Sequence, residues 1–152
     1  MRVYRISKPE HVASALLGNG SALAPGRWNT AGVRLAYAAT SVSLAMLEIL
    51  VHMNREDVPE GRRIVTYEVP DDAIEHLPEN EWPDGWNRLP YSDTVRAVGD
   101  EFIRHGRHLA IRVPSAVARG ESNLLINPAH PRFAEIRLLA DHPLSLDPRL
   151  FE

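Results

Sequence analysis

Three strand patterns follow one another late in the chain with only loops between them, and this order constrains the fold most. His108 to Val113 reads as a strand, and Asn123 to Ile126 as a short one ending at Asn127-Pro128. Ala134 to Leu139 reads as the last, with Ala134, Ile136 and Leu138 alternating against Glu135 and Arg137. Late strands without intervening helices argue against a doubly wound parallel sheet. They favour an α+β fold with a mixed or split sheet and flanking helices.

The earlier part of the chain mixes both periods. Val3 to Ile6 alternates as a first strand, with Arg5 on the face opposite Tyr4. Pro9 opens a helix that runs to Leu17 and stops at Gly18-Asn19-Gly20. Residues 18–32 form a loop rich in Gly, Pro and Asn, and Val33 to Ala38 is a second strand. Thr40-Ser41 caps a helix from Val42 to Met53, and Asn54 to Gly61 is a charged loop. Arg63 to Val69 is a strand, with Ile64, Thr66 and Glu68 on one face and Val65, Tyr67 and Val69 on the other. Residues 70–90 hold four prolines and read as an irregular connection with one helical turn at Asp71 to His76. Tyr91 to His105 reads as a helix with Val95, Val98 and Phe102 on one side, and the tail after Ala140 has no period. No internal repeat or dividing linker is visible, so residues 1–152 are expected to form one domain.

Composition narrows the function classes. A net charge of −3 gives no electrostatic case for nucleic acid or an anionic membrane. The chain has no cysteine, which excludes disulfides and thiol catalysis. The first residues lack a signal-peptide apolar region, and the apolar run Leu44 to Val51 is too short to span a bilayer. A cytoplasmic protein is expected. Lys8 is the only lysine. Genome base composition explains such a general arginine bias, so each arginine is argued by position.

Candidate chemistry concentrates in GRWNTAGVRLAYAATSVSLAMLE, residues 26–48. A glycine-flanked loop carries Arg27 beside Trp28, a strand ends near Tyr37, and the following helix is apolar except for Glu48. A helix apolar on all sides is expected to be central, and a lone carboxylate there costs several kcal/mol unless something compensates. Glu48 either orients a sugar hydroxyl and stabilises positive charge on a reacting carbon, or pairs with a core arginine. Arg27 offers a fork for carboxylate or phosphate unless it is simply a solvated loop residue. Arg5 is either an edge residue or an inward-pointing site residue. Tyr37 either stacks on a flat heterocycle or fills the strand. Ser122 and Asn127 frame the short strand in ESNLLINPAHP as ligand contacts or turn residues. Ser122 is not in a GxSxG elbow. No P-loop or GxGxxG occurs. His52 lies four residues after Glu48 with no third ligand, and His105 and His108 straddle a helix end, so no metal is expected.

The ordered set GRWNTAG, LAYAATSVSLAMLE, VPSAV and ESNLLINPAHPRF resembles the RES-domain family across nearly the whole chain. These are toxins of bacterial toxin–antitoxin pairs whose antitoxin is an Xre-like DNA-binding protein. The resemblance implies an ADP-ribosyltransferase-like fold, a split mixed sheet around a cleft for NAD. It also implies consumption of NAD by cleavage of the nicotinamide–ribose bond, with water, phosphate or a protein as acceptor. On this resemblance the family's site arginine, tyrosine and glutamate fall on Arg27, Tyr37 and Glu48, its site serine on Ser122, and its first-strand arginine on Arg5. Arg27 and Arg5 would hold the pyrophosphate or adjacent ribose, and Tyr37 would stack against nicotinamide. Glu48 would bind the ribose hydroxyls and stabilise an oxocarbenium-like transition state, while Ser122 would place the nicotinamide end and Asn127 would belong to the same NAD-binding set. The alternatives are an ADP-ribosyltransferase with a protein target and a non-catalytic module that binds a partner. An Xre-like antitoxin covering the cleft is the implied partner.

Overall fold

A computed structural model describes residues 1–54 and 60–151. Seven strands, β1 (Arg2–Ser7), β2 (Ala36–Ala39), β3 (Arg63–Glu68), β4 (Ile74–His76), β5 (Ala110–Pro114), β6 (Ser122–Ile126) and β7 (Arg137–Pro143), form one sheet in the order β4-β5-β6-β2-β1-β3-β7. Every pairing is antiparallel except β4 with β5, so the sheet is mixed, as expected of an α+β fold. The helices are α1 (Asn19–Leu23), α2 (Val42–Leu50) and α3 (Asp93–His105).

The expected split takes the form of a seam. β1 and β3 pair over six residues, and β2 and β6 over four, but β1 and β2 share a single registered pair, Tyr4 with Ala39. One face of the sheet is closed by the core of Val3, Val65, Ala36, Ala38, Leu124 and Ile126. On the other face two helices divide the work. Val95 and Phe102 of α3 pack with Trp28, Leu35, Ile111, Val113 and Leu125. Leu44 and Ala45 of α2 pack with Ala39, Tyr4, Ile6 and Ile64. The space between the helices lies over the seam.

Several boundaries moved for identifiable reasons. Residues 9–14 form a 3-10 helix rather than the first part of a long α-helix, and α1 starts within the expected loop, after Gly18 at φ 65. A side chain at Gly18 would meet the Leu35 backbone nitrogen at 2.6 Å. The second strand begins only at Ala36, because the Leu35 amide donates to Ser21 Oγ (3.0 Å) instead of to a neighbouring strand. α2 ends at Leu50, where the amides of His52 and Met53 turn to the carbonyls of Ile49 and Leu50, three residues back. α3 begins at Asp93 because Ser92 caps it, its Oγ accepting from the Val95 amide. The irregular stretch contains β4, whose three residues are too few to show a period. The last strand is 137–143, and residues 131–135 are a 3-10 turn capped by His130. Pairing with β3, through an irregularity between Thr66 and Tyr67, decides that register. The expected loop at 54–61 falls largely on residues 55–59, outside the described residues.

Candidate active site

A cleft of about 850 Å³ opens over the seam, within the ~300–1,000 Å³ range of small-molecule sites. Arg5, Arg27, Tyr37 and Glu48 all line it, so four of the six candidate residues come together. Ser122 and Asn127 do not line it.

Glu48 reaches the cleft through helical spacing. Ala45, Glu48, Ile49 and His52 stand at i, i+3, i+4 and i+7 and form the stripe of α2 and its following turn that faces the opening. The expectation of a central helix is corrected here. Leu44 and Ala45 are the buried residues of α2, whereas Leu47 is 41% and Val51 just beyond it 55% exposed. Glu48 is half-buried on a cleft wall rather than enclosed in the core. Its Oε1 accepts from Asn123 Nδ2 at 2.6 Å and from Ser115 Oγ at 3.3 Å. No cation pairs with it among the described residues. The core ion pair considered from sequence is therefore absent from the described residues, and Oε2 has no protein partner there.

Arg5 alternates onto the face of Val3, and its guanidinium reaches into the seam, where Nη1 donates to the Tyr37 carbonyl. It thus supplies a β1–β2 bond at a point where the backbone ladder is missing. Its Nε is buried with no partner among the described residues. Burial lowers the basicity of this guanidinium, partly opposed by the nearby Tyr67.

Arg27 is held rather than solvated. Its Nη1 donates to the carbonyls of Trp86 (2.6 Å) and Arg88 (3.1 Å), and the guanidinium lies 4.6 Å from the centre of the Tyr91 ring. The loop beneath it is built by Tyr37. The Tyr37 hydroxyl donates to Asn29 Oδ1 (2.6 Å) and accepts from the Trp28 amide (3.2 Å). Asn29 in turn donates to the Ser21 and Thr30 carbonyls, both at 3.0 Å. Burial pushes the Tyr37 hydroxyl well above its ordinary value, so it stays protonated and can donate. Gly26 is required by this packing, since a Cβ there would stand 2.7 Å from both Asn29 Oδ1 and the Tyr37 hydroxyl. From the other side, Asp100 of α3 accepts from the Thr30 amide (3.0 Å) and hydroxyl (2.9 Å).

Strand parity turns Ser122 away from the cleft, and position along the strand removes Asn127 from it. Ser122 shares its face of β6 with Leu124 and Ile126, which belong to the core on the far side of the sheet from α2 and α3. Its neighbour Asn123 shares the cleft face with Leu125. Asn127 is only 3% exposed at the opposite end of β6, where its Oδ1 accepts from the Ala129 amide (3.0 Å) in a turn. The residues sequence reasoning missed are Asn123 and Ser115. The period of two in SNLLI was the available signal for Asn123. The VPSAV block was the available signal for Ser115, though its residue type alone reads as a turn serine. Among the described residues no group of three His, Asp or Glu side chains could hold a metal ion, and no helix is long and apolar enough to cross a membrane.

The RES domain family model matches residues 2–147. The chain belongs to the RES family. It is 38% identical to Toxin Res of Yersinia enterocolitica over 152 residues, covering 99% of each protein. It is 37% identical to the Prs ADP-ribosylating toxin of Sphingobium sp. over 141 residues, covering 91% of this chain and 88% of that one. Among solved structures, the M. tuberculosis MbcT–MbcA toxin–antitoxin complex contains a chain that superposes with a TM-score of 0.77 at 21% identity, over 99% of this RES chain and 86% of that one. That likeness establishes the shared fold.

Proposed function

We propose that this RES domain, spanning residues 1–152, is the toxin of a toxin–antitoxin pair and cleaves the nicotinamide–ribose bond of NAD. The observation that carries the reading is Glu48. It is a carboxylate on a cleft wall, anchored at one oxygen by neutral donors and uncompensated by any described cation. Such a group stabilises positive charge that develops in a transition state, because its field is already in place and unquenched. Scission of the bond between the ribose anomeric carbon and the nicotinamide nitrogen leaves the electron pair on nitrogen and positive charge on the sugar. The departing nicotinamide is neutral, since the pyridinium ring carried the charge, so no general acid is needed to expel it. One carboxylate suffices, in contrast to the paired carboxylates of ordinary glycosidases. Glu48 binds the ribose hydroxyls, the Tyr37 ring lies beside the nicotinamide, and Arg5 and Arg27 face the pyrophosphate or its ribose.

Water as acceptor yields ADP-ribose and a proton; inorganic phosphate yields the 1-phosphate of ADP-ribose. A second reading, transfer of ADP-ribose to a protein, is favoured by the 37% identity to the Prs ADP-ribosylating toxin. The proposed partner is an Xre-like antitoxin that covers the cleft in the cytoplasm, where the exposed Leu47, Val51 and Leu89 offer apolar contacts. The deciding experiment incubates the purified chain with NAD, with and without phosphate and with candidate acceptor proteins, and weighs the products. Nicotinamide release that disappears in Glu48→Gln is expected. Release that persists in this variant, or no release under any condition, overturns the assignment; binding of a partner without turnover then identifies a non-catalytic module.

A further inference from the structure

We propose that Asn123 is the positioning residue for Glu48, holding one carboxylate oxygen with a neutral donor so that the other is presented to the ligand at full charge. The inference rests on the reading of Glu48 as the carboxylate that acts on NAD. Asn123 is well placed to hold a fixed geometry. It lies in an interior strand, opposite Ala39 of β2 on one side and Val113 of β5 on the other, so its backbone is tied from both edges. Its Nδ2 stands 2.6 Å from Glu48 Oε1, just under the usual range for N–H donors to a charged oxygen.

Ser115 completes the hold, and its proton can be assigned. Ser115 Oγ accepts from the Val117 amide (3.2 Å) and the Ala118 amide (3.1 Å), so both lone pairs are used. The one proton it can donate is therefore available to Glu48 Oε1, 3.3 Å away. Among the described residues two donors converge on one oxygen and none on the other. Both are neutral, which is the informative point. An arginine or lysine at 123 would orient the carboxylate equally well but would cancel its field across the cleft. An apolar residue would leave the field but lose the orientation. The charged and titratable groups that line the cleft with Glu48 are Tyr4 and Arg5 of β1, Tyr37 of β2, Arg27, Tyr91 and, on its own stripe, His52. None donates to it.

The test replaces the donor in two ways. In Asn123→Ala, kcat for nicotinamide release is expected to fall about 10- to 100-fold, as the loss of one hydrogen bond to a charged group and of the orientation it holds gives, with KM changed by less than about threefold. Asn123→Asp, isosteric with the parent, puts a second carboxyl against Glu48. Two carboxylates in contact cannot both ionise readily, so the pair takes up its first proton at higher pH than a lone carboxylate would, and the acid limb of kcat moves up with it. The same displacement is read without turnover from the Glu48 carboxyl carbon by NMR titration. That arm stands even if the parent chain fails to release nicotinamide, which would overturn the proposed function alone. Asn123→Asp also decides the matter should Asn123→Ala fail to fold. A Glu48 titration identical in Asn123→Asp and the parent, or an unchanged kcat in a folded Asn123→Ala, would overturn the role.

Discussion

At Glu48, exchange of one carboxylate oxygen for an amide nitrogen removes charge while keeping shape. Glu48→Gln is expected to lower nicotinamide release by on the order of 10²-fold or more. Folding stability should stay within about 1 kcal/mol of the parent, because the side chain is half-buried and pairs with no described cation. Turnover together with a thermal melt checks both halves. Tyr37 makes the opposite prediction. Tyr37→Phe strands Asn29 Oδ1 and the Trp28 amide, at a cost of about 1–3 kcal/mol, and loosens the loop that carries Arg27. Its pH behaviour follows from the raised value of the buried hydroxyl. The folded state favours the neutral phenol, so this contribution is complete below the unfolded tyrosine value of about 10 and is lost as pH rises towards the folded one. Melts recorded between about pH 9 and 12 should therefore show a steeper loss of stability in the parent than in Tyr37→Phe. Arg27, Tyr37 and Glu48 were legible from residue type because a glycine loop, a strand end and an apolar helix each carried one conspicuous polar group. Ser115 was not, because a serine in VPSAV looks like any turn residue until its three partners are known.

Elements place these side chains, and α3 does so by lacking one. A Cβ at Gly99 would stand 1.9 Å from the Trp28 carbonyl oxygen and 3.1 Å from Leu35. Backbone cannot yield as a flexible side chain can, so the loop 26–30 would have to leave α3. Gly99→Ala is expected to destabilise by about 1–3 kcal/mol, despite the better helix propensity of alanine, and to lower turnover as Arg27 shifts. Gly20→Ala in α1 is the control. It has nothing within 4 Å of the added carbon and should stabilise by a few tenths to about 1 kcal/mol. Two melting curves and one activity assay separate the cases. Element boundaries were only partly readable. The cap at Ser41 marked a helix start correctly, whereas α3 starts two residues later than expected, behind its Ser92 cap, and β4 and the register of β7 depend on neighbouring strands that lie far off in sequence.

For the molecule as a whole, the seam between β1 and β2 is the feature with consequences. One backbone pair and the Arg5 guanidinium join the two halves of the sheet there. Arg5→Ala is expected to speed amide exchange in β2 and in the facing part of β1 while leaving β5 protected; equal protection throughout would show that the seam holds without it. A ligand that bridges the seam should stabilise the whole fold. Saturating NAD is expected to raise the melting temperature of Glu48→Gln, with about 2.7 kcal/mol gained at one hundred times the dissociation constant. The shift should shrink when Arg27→Ala is added. A shift of equal size in both would remove Arg27 from the binding surface.

The sequence by itself determined the α+β class, the mixed sheet, the polar groups in residues 26–48 and the RES-type order of motifs. These follow from period, capping and residue type, which are local properties. Only the tertiary structure decided that α2 lies beside a cleft rather than through the core, and that Asn123 rather than Ser122 faces Glu48. It also decided that Tyr37 spends its hydroxyl on the Arg27 loop. Each of these depends on which face of an element meets which neighbour. In β6 a one-residue change of parity turns a cleft-facing side chain into one on the far side of the sheet. Apolar residues on every side of α2 could not reveal which stripe would be left open. That was fixed by where α3 stops covering the sheet and the seam begins.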